Sequence, residues 1–154
     1  MIDARLAELG IELPGAAPAL ANYVPFTVRN GLVFLSGQLP LRNGSLTQAG
    51  RVGRELSLEQ GRMAARQCAI NLLANLRLAC GGSLDRVEAC LKLTGFVSSG
   101  EGFVEQALVI NGASDLLVEV MGDAGRHARS AVGVGILPFD APVEVEAIFA
   151  IRDN

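Results

Sequence analysis

Two alternating runs near the C-terminus constrain the fold most: Arg129 to Ile136, RSAVGVGI, and Val143 to Ile151, VEVEAIFAI. Period-two alternation marks a strand with one face turned to a core. Both runs are short and rich in β-branched residues, which argues against helix. Only Leu137-Pro138-Phe139-Asp140-Ala141-Pro142 joins them, so they belong to one sheet, and other parts of the chain must cover that sheet.

The cover is legible upstream. The stretch Ser57 to Gly82, SLEQGRMAARQCAINLLANLRLACGG, carries Ala65, Cys68, Ala69, Leu72, Leu76 and Ala79 at helical spacing, with Glu59, Arg62 and Arg66 expected in water. Ser57 and Gln60 form a capping box at its start, and Gly81 supplies the left-handed stop at its end. A second helix is expected over about Phe103 to Met121, with Val104, Ala107, Leu108 and Leu117 on its apolar face. Between the helices, Arg86 to Ser98 alternates, with Val87, Ala89, Leu91 and Leu93 on one side. Tyr23 to Arg29 and Leu32 to Ser36 flank Asn30-Gly31, a strong hairpin signal. Gly37 to Arg54 is turn-rich and is expected to be a long surface loop. Ile2, Leu6 and Leu9 predict a short N-terminal helix ended by Gly10, an extension over residues 1–16. The order β-β-α-β-α-β-β gives an α+β two-layer sandwich in a single domain of residues 1–154, with two helices on one face of the sheet.

Composition excludes several functions. With half of 154 residues hydrophobic, the chain can bury a core without staples. Cys68, Cys80 and Cys90 sit in apolar patterns without metal-ligand spacing and read as reduced core thiols. His127, the one histidine, leaves little for a metal site or a catalytic triad, and its flanks suggest a solvent-facing loop. A net charge of −3 argues against nucleic acid as the main partner. No apolar run reaches the roughly 18–20 residues of a membrane span, and Met1-Ile2-Asp3-Ala4-Arg5 lacks a signal-peptide pattern. The expected location is the cytoplasm, with no membrane partner.

The chemical candidates lie in the closing strands. Gly133-Val134-Gly135 runs on as strand, which excludes a phosphate loop. Glu144 and Glu146 share one strand face, as a carboxylate pair or as a solvated edge. Alternation groups Arg129, Ala131, Gly133 and Gly135 on one face and Ser130, Val132, Val134 and Ile136 on the other. The apolar second set is expected to be the core face. The first then leaves room beside a guanidinium suited to a carboxylate. A surface or interface ion pair at Arg129 is the alternative.

The segments ANYVPFTVRNGLVFLSGQLP, AARQCAINLLANL, LKLTGFVSS and ARSAVGVGILPFDAPVEVEAIFAI fall in the order and spacing of the RidA/YjgF family, which this chain resembles from about Ala17 to Arg152. Members are enamine/imine deaminases, once labelled L-PSP endoribonucleases. The longer Arg42–Ser57 loop and the N-terminal helix resemble the YjgF/chorismate-mutase-like branch. The resemblance implies a chorismate-mutase-like fold, assembled as a homotrimer with sites between subunits. It also implies a central last strand, with the Arg-bearing strand to one side.

The same resemblance assigns residues. Arg129 would hold the substrate carboxylate, and Glu144 would orient or deprotonate the attacking water. Tyr23, Ser36 and Asn111 fall on family site positions, and backbone near Gly37 and Phe96-Val97 would complete the pocket. Ala131 and Gly133 stand where typical members carry cysteine and glutamate, which implies a wider site. The implied reaction hydrolyses 2-aminoacrylate-type imines to 2-keto acids and ammonia, with no metal or other cofactor. The other readings are a non-catalytic carboxylate-binding regulatory trimer and, behind it, an endoribonuclease.

Overall fold

The structure, a computed structural model, describes residues 1–15 and 21–152. The start of the matched region at Ala17 and the last residue of the N-terminal extension lie outside these. The chain opens with helix α1 (Ile2–Glu8) and the hairpin β1 (Phe26–Arg29) and β2 (Leu32–Gln38). A small hairpin follows, β3 (Leu41–Arg42) and β4 (Ser45–Leu46), then α2 (Leu58–Ala79) and β5 (Val87–Ser98). Helix α3 (Gln106–Met121), β6 (Ala128–Val134) and β7 (Val143–Ile151) complete the fold. The five-stranded sheet has the order β1-β2-β7-β5-β6, so β7 is central and β6 is an edge. All neighbours are antiparallel except β5 and β6, which α3 joins as a parallel pair. Helices α2 and α3 pack together on one face, giving the α+β fold with a mixed sheet.

Local chemistry explains the elements. Asn30 and Gly31 both adopt positive φ, 50° and 71°, which a two-residue primed turn requires. Ser57 Oγ accepts from the Gln60 N–H while Gln60 Oε1 accepts from the Ser57 N–H, closing the capping box. Val143, Val145, Ala147, Phe149 and Ile151 of β7 all face the helices and are buried. They meet Leu72, Leu73 and Leu76 of α2 and Ile110, Leu116 and Leu117 of α3 in one core. Each large aliphatic or aromatic side chain so buried contributes about 1.5–3 kcal/mol.

Several expectations are corrected. The Gly37–Arg54 segment is not a bare loop: it folds into the β3–β4 hairpin, and Val52 bridges both Leu56 and Ser99. Asn71, buried on α2, donates to the carbonyls of Leu39 and Leu41 and ties the hairpin down. The second helix starts at Gln106, because Phe103 turns back to pack over Gly53. Its buried face is Val109, Ile110, Ala113, Leu116, Leu117 and Val120, while Val104 and Leu108 are exposed. A bulge between Cys90 and Lys92 breaks the alternation of β5, so Leu91 is exposed and Cys90 is buried. Arg62 and Arg66 are only partly in water, since they bridge to Asp115 and Glu119 of α3.

The largest correction concerns β6. Arg129, Ala131 and Gly133 face α3, whereas Val132 and Ile136 are on the exposed side at 45% and 66%. The reason is distance. Helix α3 lies so close to β5 and β6 that Ile110 sits directly against Gly95, and a Cβ on Gly133 would lie 2.8 Å from Gln106 Nε2. At Gly95 no side chain fits beneath the helix, whereas at Gly133 the nearest atom is the flexible end of Gln106.

Candidate functional site

Arg129 projects from the edge strand toward the rim of α3. Its Nη1 donates to Asn111 Oδ1 at 2.8 Å and to Ser114 Oγ at 3.1 Å, and Nη2 reaches the Ala107 carbonyl at 3.4 Å. Ala107, Asn111 and Ser114 are four and three residues apart along one helical stripe. Both hydrogens of Nη1 are therefore engaged. Nε has no acceptor among the described residues, and no carboxylate there pairs with Arg129. The edge formed by Nε and Nη2 is the side of a guanidinium that takes a carboxylate in a two-point fork. Asn111 is thus brought to Arg129.

Beneath this cation, Ala131 packs on the core and Gly133 faces Gln106. Beside Gly133, which is itself exposed, lies the end of the Gln106 side chain. Gln106 Nε2 donates to the Phe103 carbonyl at 2.8 Å and to Ser99 Oγ at 3.2 Å, and Ser99 Oγ donates to the Val97 carbonyl.

Ser114 and His127 join the cluster as well. His127 is half-buried, not solvent-facing: Nε2 lies 2.9 Å from Ser114 Oγ and Nδ1 lies 2.6 Å from the Gly125 carbonyl. Burial, and then the charge of Arg129, hold its pKa below the usual imidazole value. Sequence reasoning had no signal for Ser114, because it depends on which turn of α3 meets β6. His127, two positions before Arg129, shares its strand parity, and that could have been noticed.

Glu144 and its expected partners assemble elsewhere. On β7, Glu144 and Glu146 face the open side of the sheet. Glu144 pairs in register with Phe96 and lays its carboxylate against Gly37, where a side chain would overlap it. Burial, then the neighbouring Glu146, raise its pKa above the ordinary carboxylate value. Ser36 precedes Gly37, and its Oγ donates to the Val24 carbonyl at 2.7 Å, next to the exposed Tyr23. Val97 is a core residue with its backbone in register with both Gly133 and Val143. The structure therefore gathers the expected site residues into two groups: Arg129, Asn111, Ala131 and Gly133 on the helix side, and Glu144, Gly37, Ser36, Phe96 and Tyr23 toward the open side. Among the described residues, no group of three or more histidine, cysteine, aspartate or glutamate side chains is arranged to hold a metal ion.

A mixed sheet under two helices, with a braced arginine on its edge strand, defines the class of this protein. The family described as "YjgF/chorismate mutase-like, putative endoribonuclease" matches residues 3–150, and the chain belongs to it. Protein TCP17 of Trypanosoma cruzi is 43% identical over 99% of this chain and 95% of its own length. The crystal structure of Atu1372 from Agrobacterium tumefaciens, described as of unknown function, is 49% identical. It superposes with a TM-score of 0.92 over 98% of this chain and 92% of that one. More distant is TdcF of E. coli, solved with bound serine, at 26% identity and TM-score 0.61 over 91% and 93% of the two chains. No helix among the described residues is long and apolar enough to cross a membrane.

Proposed function

We propose that this protein is a hydrolytic deaminase of small enamine or imine carboxylates. In this reading it works in clefts between the subunits of a homotrimer and yields 2-keto acids and ammonia. One observation carries the reading: Arg129 stands on an edge strand with Nη1 saturated by its own helix and Nε left open. Such a group is prepared for a carboxylate from outside the chain. A family member solved with bound serine, an amino carboxylate, supports the choice of ligand.

The separation of the two residue groups supports a cleft shared between subunits. Arg129 and Glu144 occupy opposite faces within one chain, so joint action requires the Arg129 edge of one copy beside the Glu144 face of the next. Arg129 then fixes the carboxylate and draws electron density from the adjacent imine carbon. Glu144, with its raised pKa, takes a proton from water as that water attacks. Glu144 returns that proton to the imine nitrogen, and collapse of the resulting carbinolamine, its hydroxyl proton passing to the amine, expels ammonia and leaves the keto acid. No step calls for a metal or an organic cofactor. Nucleic acid is not the substrate in this reading, since His127 is committed to Gly125 and Ser114.

The test is turnover of 2-aminoacrylate released in situ by a serine dehydratase, beside sedimentation at micromolar concentration. Faster pyruvate release and a mass near three times 16.1 kDa are expected. A stable monomer overturns the shared cleft. Carboxylate binding without turnover leaves the non-catalytic regulatory trimer instead.

A further inference from the structure

We infer that Ser114 and His127 are positioning residues for Arg129, forming a one-way chain of donors that couples a proton on the imidazole to carboxylate binding at the guanidinium. The inference rests on the reading of Arg129 as a carboxylate anchor and goes beyond it by assigning two residues and a regulation to that site.

The direction of the chain follows from what each group can do. The Gly125 carbonyl only accepts, so at 2.6 Å His127 Nδ1 carries a hydrogen and donates it. In the neutral ring Nε2 is then an acceptor, and the group 2.9 Å away that can supply it is the Ser114 hydroxyl. With its hydrogen spent on His127, Ser114 Oγ turns lone pairs toward Arg129 Nη1 at 3.1 Å. Asn111 Oδ1 takes the other Nη1 hydrogen at 2.8 Å. The guanidinium is locked with Nε and one edge of Nη2 outward. Without Ser114, one of the two acceptors that fix Nη1 is gone.

Protonation changes the charge but keeps the contacts. Imidazolium donates from both nitrogens, so Ser114 Oγ accepts from His127 and Arg129 together while its own hydrogen turns away. Two cations then flank one hydroxyl, a state an arriving carboxylate relieves. The other charges near His127 are already paired: Asp123 with Arg126 on the preceding turn, and Asp115 of α3 with Arg62. Lys92 of β5 donates to Ser130, on the opposite face of β6 from Arg129. Burial does most to lower the His127 pKa in the free protein, and the charge of Arg129 adds a smaller push in the same direction. A carboxylate on Arg129 cancels that field, so binding raises the His127 pKa and takes up protons. Affinity therefore increases as pH falls through the imidazole range.

His127 is the only histidine, so its ring protons titrate without overlap in an NMR spectrum. Pyruvate, ionised across this range, is the probe. Its presence at saturation should move the His127 midpoint upward, and pyruvate affinity should be on the order of 5-fold tighter at pH 5.5 than at pH 8. His127→Asn keeps a donor for Gly125 but cannot titrate and should flatten the affinity profile. His127→Gln provides the same comparison if the first variant folds poorly. Ser114→Ala should weaken binding across the whole range. An unmoved midpoint at saturating pyruvate, or a rise in affinity that persists in His127→Asn, overturns the inference. Unchanged pyruvate affinity in Arg129→Lys instead overturns the anchor itself, so the two failures are distinguishable.

Discussion

Arg129 and Glu144 project to opposite faces of one sheet, the first from edge strand β6 toward α3 and the second from central strand β7 toward the open side. Any chemistry that needs both therefore depends on how copies of the chain meet.

Arg129→Lys keeps the charge but loses the planar fork. Lysine cannot hold Asn111 and Ser114 on one nitrogen while offering two parallel donors outward. Carboxylate affinity should fall by about 1.5–3 kcal/mol, the scale of a lost charge-assisted hydrogen bond. Calorimetric titration with pyruvate checks it, and an unchanged dissociation constant would mean that the arginine is structural.

The raised pKa of Glu144 has a definite sign for stability. A carboxyl group whose folded-state pKa lies above its unfolded value binds more protons when folded. Its contribution is fully present below the unfolded pKa and is lost as pH rises through the folded one. Glu144→Gln should therefore gain thermal stability relative to wild type above about pH 4.5, with the gap closing below it. Melting curves of both proteins from pH 3.5 to about 7.5 test this. A constant gap would place the cause elsewhere.

Gly112 lets α2 and α3 touch. A Cβ there would overlap the Arg62 carbonyl oxygen, which is backbone and cannot swing aside. Gly112→Ala should push the helices apart and destabilise the fold by about 1–3 kcal/mol despite the better helix propensity of alanine. The midpoint of urea denaturation reads this directly.

Cys68, Cys80 and Cys90 are free and buried. Burial pushes all three thiols up, Cys90 to about 12 and Cys68 well above the ordinary value. Thiolate, the reactive form, is scarce at neutral pH. Labelling with an aromatic disulfide should be slow in the native protein and rapid in denaturant. Fast native labelling of any one cysteine would contradict its place in the core.

Much of the fold was legible because its signals are local. The Asn30-Gly31 turn, the Ser57–Gln60 box, the Gly81 stop and the alternation of β7 each depend on a few adjacent residues. The face of β6 was not, for a physical reason. Alternation divides a strand into two sets but does not say which set meets a helix. Val132, Val134 and Ile136 look like a core, yet it is Arg129, Ala131 and Gly133 that turn toward α3. For the same reason alternation gives no sign that the end of Gln106 lies beside Gly133. The bulge at Cys90–Lys92 likewise leaves no mark in an apolar run. At the site, Arg129 and Asn111 were assigned by resemblance and do meet. Ser114 could only be found once the helix had been laid on the strand.

Every group that braces Arg129 comes from the single stretch between Ala107 and the arginine itself, whereas Gly37 and Glu144 meet from distant parts of the chain. Closing a short loop sacrifices less chain entropy than closing a long one. The group around Arg129 is thus a property of one helix–strand unit, and the group around Glu144 is a property of the whole sheet. As the protein opens under stress, the β2–β7 ladder can part and scatter the acid while the anchor remains assembled on its helix. The two groups of residues would then come apart at different points along the unfolding path.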